Sequence, residues 1–180
     1  MRLFIALNLT LEVKDVISYT IQNLKKWSVS GNYTPPENLH LTLAFLGEVS
    51  YEGMGDIIKS MHQTAEYRES MDITLHGFGK FVNRGGYLYW LGVKENQALQ
   101  KMQKDLVSAL KKDGFQVDDK PFKPHITLGR KCVMRPGFDE KSFGEKIAPM
   151  FMKVTAISLM LSEQRQGKVI YTELEKAKLQ

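Results

Sequence analysis

The sequence predicts a mixed helix-and-strand protein built from two copies of one unit, which face each other about a pseudo-two-fold axis. The order strand, helix, loop, strand, helix, strand occurs twice along the 180 residues. A strand with the pattern His-x-Thr begins at His40, and a second begins at His125, 85 positions later. The apolar runs of the two first strands start at Leu3 and at Tyr87, 84 positions apart. We expect the repeats, about 1–82 and 86–175, to form one domain over 1–180.

The elements of the first repeat are predicted from hydrophobic spacing and from the residues that interrupt it. A strand from Leu3 to Leu9 precedes a helix over 11–27, with Thr10 as its N-cap. Glycine and proline indicate a loop over 31–36. The remaining elements are a strand over 38–47, a helix over 51–67 and a strand over 71–81. The glycine-rich end of that last strand, 77–81, lacks the spacing of a phosphate-binding loop and indicates a strand end or bulge.

The second repeat is predicted in the same way, and its helix has the clearest apolar face. The elements are a strand over 86–93, a helix over 96–115, a loop over 118–124, a strand over 125–132, a short helix over 138–151 and strands over 153–164 and 167–175. No linker or low-complexity segment separates the two repeats. The chain is therefore expected to be a single bilobal domain.

Composition limits the class of protein. Hydrophobic residues make up 43% and charged residues 25% of the chain, as in ordinary globular proteins. The single cysteine, Cys132, allows no internal disulfide and fits a reducing compartment. The N-terminus lacks the features of a secretory signal, and no apolar run is long enough to span a membrane. We expect a cytoplasmic protein, whose net charge of +5 permits a polyanionic partner.

The two His-x-Thr strands are the candidate chemistry. Side chains alternate between the faces of a strand, so His40 shares a face with Thr42 while the leucines occupy the other. His125 and Thr127 are arranged in the same way. One neutral imidazole accepts a proton while one imidazolium donates a proton, and hydroxyls donate to oxygens on a central atom. A phosphorus with two non-bridging oxygens suits this arrangement, and Arg130 carries a guanidinium that binds phosphate.

The sequence is less consistent with other uses of these residues. A single His-x-Thr is most often an ordinary polar pair in a sheet, whereas two copies at equivalent places favour a shared active site. A metal site is disfavoured because no cysteine or acidic cluster has ligand spacing beside the histidines. His62 is expected to be exposed on a helix, and His76 has no partner motif. Most aromatic residues are expected in the core, with one or two free to stack on a base: Phe45, Phe78, Phe81, Tyr87, Tyr89, Trp90 and Phe122.

The paired motifs carry a family resemblance. "NLHLTLAFLGEV" together with "FKPHITLGR" resembles the two-histidine phosphoesterases with their HXTX motif, specifically the RNA 2′,3′-cyclic phosphodiesterases, also called 2′-5′ RNA ligases. The opening "RLFIALNL", the "YWLGV" strand and the terminal "YTEL" are also similar to that family. The resemblance implies an α+β, bilobal fold with antiparallel sheets lining a central cleft and helices outside.

The resemblance also implies an activity and roles. It implies metal-independent opening of a 2′,3′-cyclic phosphate at an RNA 3′ end, leaving a 2′-phosphate, without a cofactor. His125 would be the proton acceptor and His40 the proton donor. Thr42, Thr127 and Arg130 would hold the phosphate. A reverse 2′-5′ ligase activity, action on small cyclic nucleotides and a non-catalytic RNA-end binding module stay open, and we expect a monomer without a membrane partner.

Overall fold

The computed structural model describes residues 1–118 and 120–180, with the backbone alone of Asn83; residue 119, in the predicted loop 118–124, lies outside the described residues. The described part of the chain forms nine strands, four α-helices and one short 3-10 turn. The strands are β1 (Arg2–Asn8), β2 (Ser28–Tyr33), β3 (His40–Glu48), β4 (Met71–Asn83), β5 (Gly86–Val93), β6 (His125–Met134), β7 (Met150–Val154), β8 (Ala156–Arg165) and β9 (Lys168–Lys178). The helices are α1 (Leu11–Lys26), α2 (Met54–Glu66), α3 (Gln97–Lys112) and α4 (Glu140–Glu145), and the turn is Pro36–Asn38.

The strands form one antiparallel sheet in the order β7-β4-β5-β6-β3-β1-β8-β9, and β2 pairs with β6 off this path. The third strand of each predicted repeat crosses to the other half of the sheet. β4 pairs with β5, and β8 pairs with β1. Each half of the sheet therefore combines strands from both repeats, and the two β-strands that carry the histidines, β3 and β6, meet in the middle.

The first two sheet strands of each repeat pair in matching register. The pairs Asn8–His40, Leu7–Leu41 and Ala6–Thr42 join β1 to β3, and the pairs Gly92–His125, Leu91–Ile126 and Trp90–Thr127 join β5 to β6. The offsets of 84 and 85 positions found in the sequence are therefore reproduced in the hydrogen-bonded pairing. This agreement supports the duplication that we propose for the chain.

The helices pack on one face of the sheet and enclose the main core with it. Buried apolar residues of α1, α2 and α3 cluster with Leu3, Ile5 and Leu7 of β1. Two helix starts are fixed by side chains: Thr10 Oγ1 accepts from the amide of Val13 at 3.4 Å, as predicted, and an asparagine caps α3. On the opposite face of the sheet a small cluster of Phe4, Ala6 and Met160 lies beside His40. The mixed helix-and-strand fold class and the antiparallel pairing are confirmed, although the described strands form one continuous sheet rather than separate sheets.

Three elements differ from the sequence-based expectation. β2 occupies part of the segment expected as a loop, because its partner β6 is more than 90 residues away and local patterning carries no sign of it. The helix expected over 138–151 ends at Glu145. The strand expected over 153–164 is divided into β7 and β8, and β7 pairs along the outer edge of β4. The expected bulge in β4 is confirmed between Leu75 and Phe78.

Candidate active site

The two histidine strands meet at a single register pair within the described residues, Leu41 with Ile126. Both side chains are fully buried and face the core. In an antiparallel pair the neighbours run in opposite directions, so His40 lies beside Thr127 and Thr42 lies beside His125. Because side chains alternate, all four polar groups project from the face opposite the core. The structure therefore brings the two predicted His-x-Thr motifs together on one surface.

Both imidazoles are oriented by the same kind of hydrogen bond. Nδ1 of His40 donates to the carbonyl oxygen of Asn38, and Nδ1 of His125 donates to that of Lys123, each at 2.7 Å. A carbonyl oxygen only accepts, so Nδ1 carries the hydrogen in both rings. This leaves Nε2 as the nitrogen that gains or loses a proton. Nε2 of His40 lies 3.0 Å from Oγ1 of Thr42.

The turn that orients His40 is attached to a distant strand. Asn38 is only 7% exposed, and its Nδ2 donates to the carbonyl oxygen of Val169 in β9 at 2.8 Å. The corresponding residue in the second copy, Lys123, has an exposed side chain. Asn38 thus fixes the carbonyl that holds His40 through a contact with the far edge of its own lobe. Asn38 was not predicted from the sequence. The only signal there was an asparagine two positions before the first motif, and its burial became visible only in the structure.

Aromatic rings pack against both imidazoles. His40 contacts Phe4, with ring centroids 4.8 Å apart, and meets Tyr171 edge-on at 5.2 Å. His125 meets Phe81 edge-on at 5.3 Å and lies 6.3 Å from Trp90. These contacts remove water from the rings and limit their rotation. Phe4 and Tyr171 were not among the predicted aromatic candidates, because β1 and β9 carried no motif to single them out.

Glycine at one position makes room for this packing. A β-carbon built on Gly79 would lie 2.4 Å from Cζ2 of Trp90 and 2.6 Å from Cη2. No residue larger than glycine fits there without displacing the indole. The glycine-rich segment of β4 is therefore needed to seat the indole beside His125.

Burial lowers the pKa of His40 below its ordinary value of 6.5. The hydrogen bond to the carbonyl of Asn38 opposes this effect by favouring the charged ring. The positive charges of Arg130, Lys14 and His125 lower the pKa of His40 further. These surroundings favour the neutral form of the His40 ring relative to an imidazole in water.

A bulge at the same place in each histidine strand changes which side chains reach the cleft. In β3 the consecutive residues Ile5 and Ala6 pair with Ala44 and Thr42, so Leu43 is an extra residue. In β6 the same irregularity makes Leu128 the extra residue, between Thr127 and Gly129. Each bulge shifts the alternation by one position.

The shift brings Phe45 of β3 and Arg130 of β6 onto the face of the histidines. Strict alternation would have placed both on the core side. Phe45 is therefore one of the predicted aromatic residues that lie outside the core: its side chain is 46% exposed. The positive charge of Arg130 lowers the pKa of His40, so the guanidinium lies near the imidazole. Arg130, predicted to bind phosphate, therefore faces the same site.

Two clefts open from this surface, one beside each histidine. The cleft beside His40 has a volume of about 410 Å³ and is lined by Arg2, Phe4, Arg130 and Tyr171, among others. The cleft beside His125 has a volume of about 510 Å³, with Phe81, Gln103 and Phe122 among its lining residues. Thr42 and Phe45 line both clefts. Thr42 therefore stands at the boundary between an arginine-lined cleft beside His40 and an aromatic cleft beside His125.

The remaining histidines lie outside this surface. His62, in α2, is 51% exposed and lies 3.1 Å from a carboxylate oxygen of Glu175, so its expected exposure is confirmed. His76 is exposed in β4. Within residues 1–118 and 120–180, no three histidine, cysteine, aspartate or glutamate side chains cluster so as to hold a metal ion. No helix in the same described residues is long and apolar enough to cross a membrane.

A single curled antiparallel sheet that presents two His-x-Thr motifs across one seam defines a two-histidine phosphoesterase. The family model of the 2′-5′ RNA ligase superfamily matches residues 13–165. The chain belongs to this superfamily, and the resemblance found in its motifs is confirmed.

Curated relatives and solved structures agree with this membership. An RNA 2′,3′-cyclic phosphodiesterase of Thermotoga maritima is 37% identical over 131 residues, which cover 72% of this chain and 70% of that protein. The crystal structure of TT0787 of Thermus thermophilus matches with a TM-score of 0.82 and 28% identity, covering 99% of this chain and 98% of that one. The crystal structure of E. coli LigT complexed with 3′-AMP matches with a TM-score of 0.78 and 28% identity, covering 99% and 97%.

Proposed function

We propose that this protein is an RNA 2′,3′-cyclic phosphodiesterase that opens a terminal cyclic phosphate to a 2′-phosphate. The observation that carries the proposal is the seam at Leu41 and Ile126, which sets His40 beside Thr127 and Thr42 beside His125. Two proton-transferring rings and two hydroxyl donors then converge on one place. The names of the curated relatives support the same reaction, and E. coli LigT supports a nucleotide ligand.

We assign His125 as the general base and His40 as the general acid. His125 takes a proton from water through Nε2, and the resulting oxygen attacks the phosphorus. The P–O3′ bond breaks, and Nε2 of His40 gives its proton to the departing O3′. Thr42, Thr127 and Arg130 donate hydrogen bonds to the phosphate oxygens. The product keeps its phosphate on O2′, and no metal or cofactor takes part in these steps.

The lowered pKa of His40 is compatible with a proton donor once substrate is bound. Burial and the charge of Arg130 both favour the neutral ring in the free protein. A bound phosphate brings a negative charge that offsets the charge of Arg130. The phosphate therefore favours the imidazolium form of His40 at the moment when a proton is needed.

The substrate class is the finer part of this proposal. Arg2 and Arg130 both line the cleft beside His40, so two cations are available where a mononucleotide brings one cyclic phosphate. This favours an RNA end, with further phosphates upstream, over a small cyclic nucleotide. We further propose that the enzyme acts as a monomer in the cytoplasm, where its single buried cysteine stays reduced.

The test is turnover of an RNA that ends in a 2′,3′-cyclic phosphate, measured with EDTA present. The wild type is expected to give a 2′-phosphate end, and His40→Ala and His125→Ala are each expected to lose at least about a hundredfold in kcat. His76→Ala, which changes an exposed histidine, is the matched control. Normal turnover by either active-site variant would refute the proposal. Comparing an oligomer with a cyclic mononucleotide tests the preference for RNA ends.

A further inference from the structure

We propose that Arg2 is a specificity-determining residue, which binds the phosphate on the 5′ side of the terminal nucleotide. The inference rests on the proposed function, because the cyclic phosphate itself must be held elsewhere in the site. Two observations carry it. The guanidinium of Arg2 is seated on the ring of Phe45 in the cleft beside His40, and the second copy of the repeat has no equivalent cation.

Strand alternation places Arg2 on the face of the histidines. Ala6 of β1 pairs with Thr42, and Arg2 is four positions from Ala6 along the same face of the strand. At a rise of roughly 3.3 Å per residue, the Cα atoms of Arg2 and Ala6 are about 13 Å apart. Arg2 therefore enters the cleft from its outer end, whereas Thr42 stands beside the histidines.

The ring of Phe45 fixes how far Arg2 reaches. Cζ of Arg2 lies 5.1 Å from the centroid of that ring, within the range of a cation–π contact. The bulge at Leu43 turns Phe45 onto this face, where it lines the same two clefts as Thr42. A guanidinium that rests on a ring keeps the N–H groups at its edge available to an anion. Phe45 therefore acts as a spacer, which holds the cation one ring away from Thr42.

This spacing matches the two phosphates at an RNA 3′ end. The terminal ribose carries the cyclic phosphate on O2′ and O3′, and its 5′ carbon carries the next phosphate at the other end of the sugar. Because O3′ departs toward His40, the terminal nucleoside occupies the cleft on that side. The volume of this cleft is about 410 Å³, and pockets for small ligands have roughly 300–1,000 Å³. The second phosphate is one ribose away from the first, as Arg2 is one aromatic ring away from Thr42.

The charge of Arg2 is available to a ligand. Glu163 is the acidic residue in the described lining of the cleft, and its carboxylate lies 2.8 Å from Nη2 of Arg165. None of the ion pairs among residues 1–118 and 120–180 includes Arg2. A guanidinium without a carboxylate partner, in a cleft that takes nucleotides, is suited to a phosphate.

The second copy of the repeat cannot offer this cation. The offset of 84 positions between β1 and β5 sets Gly86 at the place of Arg2. A β-carbon built on Gly86 would lie 2.7 Å from the carbonyl oxygen of Cys132 and 2.8 Å from the carbonyl carbon of Lys131. Both are backbone atoms, so no side chain fits there. The duplication therefore supplies two histidines but one outer arginine, which gives the site a direction for the RNA strand.

A contact at Arg2 is remote from the bonds that react. It is made equally in the bound substrate and in the transition state, so we expect it to lower KM and to change kcat little. A hydrogen bond to a charged group corresponds to about a ten- to hundredfold change in binding. A nucleotide that lacks the 5′ phosphate is expected to lose that gain.

The experiment measures kcat/KM of the full chain on adenosine 2′,3′-cyclic phosphate, once with a 5′-hydroxyl and once with a 5′-phosphate. In the wild type the 5′-phosphate is expected to raise kcat/KM about tenfold or more, mainly through KM. Arg2→Gln is expected to abolish this gain. Arg2→Lys keeps the charge without the planar fork and is expected to retain part of the gain.

Phe45→Leu tests the support of the guanidinium. Leucine stays apolar but removes the ring, so the gain from the 5′-phosphate is expected to fall about two- to fivefold, the scale of an exposed cation–π contact. In an Arg2→Gln background the same change is expected to have no further effect on the gain, because the two side chains act as a unit. Arg135→Gln is the matched control, at an exposed arginine outside the lining of both clefts, and is expected to keep the full gain.

The outcomes separate this inference from the proposed function. Failure of the wild type to hydrolyse an oligonucleotide that ends in a 2′,3′-cyclic phosphate would refute the hydrolase itself. Equal kcat/KM on the two adenosine nucleotides would overturn the role of Arg2 while the hydrolase stands. If Arg2→Gln lowers both values by the same factor, Arg2 acts on the cyclic phosphate or on the fold, and the inference is wrong. A gain on a dinucleotide without a gain on the 5′-phosphorylated mononucleotide would assign the binding to the second nucleoside and overturn it as well.

Discussion

Leu41 and Ile126 form the register pair that joins the two halves of the sheet, and each lies between the histidine and the threonine of one motif. The β3–β6 junction elsewhere diverges, and β2 takes over the edge of β6 from Gly129 onwards. The relative position of His40 and His125 is therefore set by a backbone pairing between two residues whose side chains are buried in the same core cluster. Packing in the core and alignment of the chemistry are linked at this point.

We predict that Leu41→Ala lowers both stability and activity. Truncating a fully buried leucine removes packing and leaves a cavity, at a cost of about 2–5 kcal/mol in the free energy of unfolding. The histidine strands also lose the contact that aligns them, so kcat per folded molecule is expected to fall. Urea unfolding and active-site-normalised turnover are the measurements. Leu99→Ala, in α3 and also fully buried, is expected to match the stability loss while keeping kcat; equal kcat in both variants would contradict the prediction.

We predict that Thr42→Val reduces kcat by roughly a hundredfold to a thousandfold, the usual cost of removing one donor to a developing oxyanion. Valine keeps the shape of threonine and removes the hydroxyl that lies 3.0 Å from Nε2 of His40. The KM is expected to change far less than kcat. Thr42→Ser restores the hydroxyl and is expected to recover most of the activity. If serine and valine give the same rate, the hydroxyl has no role.

The pH dependence of turnover is predicted from the environment of His40. As the proposed proton donor, His40 must be charged, and burial lowers its pKa below the ordinary value of 6.5 in the free protein. The alkaline limb of kcat/KM, which reports the free enzyme, is therefore expected below pH 6.5. Bound phosphate raises the pKa of His40, so the alkaline limb of kcat is expected at higher pH. Coincident limbs in the two profiles would contradict this.

Arg130→Gln provides the control for that profile. Removing a positive charge that lowers the pKa of His40 is expected to move the alkaline limb of kcat/KM upward. Titration of the ring protons of His40 by NMR checks the same shift without turnover. An unchanged or lower pKa in the variant would contradict the electrostatic assignment.

Much of the fold could be predicted from local patterns, because α1 and α3 carry long apolar faces and the histidine strands carry both alternation and a repeated motif. β2 and β7 could not, since each exists by pairing with a strand far away in sequence. The way in which the strands of the two repeats are shared between the two halves of the sheet was also not predicted. Nothing local indicates that β4 and β8 cross to the opposite repeat.

The candidate site was predictable where a motif was duplicated and not where a bulge decided the outcome. The duplicated motif together with strand alternation is enough to predict His40, Thr42, His125 and Thr127. Alternation would have pointed Arg130 away from them, and the extra residue Leu128 corrects this. The partners of the rings, such as Asn38 and Tyr171, come from a turn and a strand that the motif does not name. These residues reach the site through contacts between segments that are distant in the sequence.

We predict that acid destabilises the protein partly through His40. Its folded-state pKa is lowered, so the unfolded chain binds a proton first as the pH falls from 6.5. The free energy of unfolding is therefore expected to decrease from pH 6.5 down to the folded-state pKa and to show no further loss from this group below it. Urea unfolding at several pH values measures this. His40→Gln is expected to flatten that part of the profile, whereas His76→Gln is expected to leave it unchanged; identical profiles for all three proteins would contradict the prediction.

Asn38 is predicted to be a positioning residue for His40. Asn38→Ala removes the donor to the carbonyl of Val169, a partly buried hydrogen bond whose loss is expected to cost about 0.5–1.5 kcal/mol in the free energy of unfolding. The turn is then free to move, and the carbonyl that accepts from Nδ1 of His40 moves with it. We expect nitrogen chemical shifts of the His40 ring to show a mixture of tautomers and kcat to fall, with KM little changed. Lys123→Ala is the control, because His125 is held by the backbone carbonyl and not by that side chain. A stability loss with an unaltered tautomer and an unaltered kcat would assign Asn38 a purely structural role.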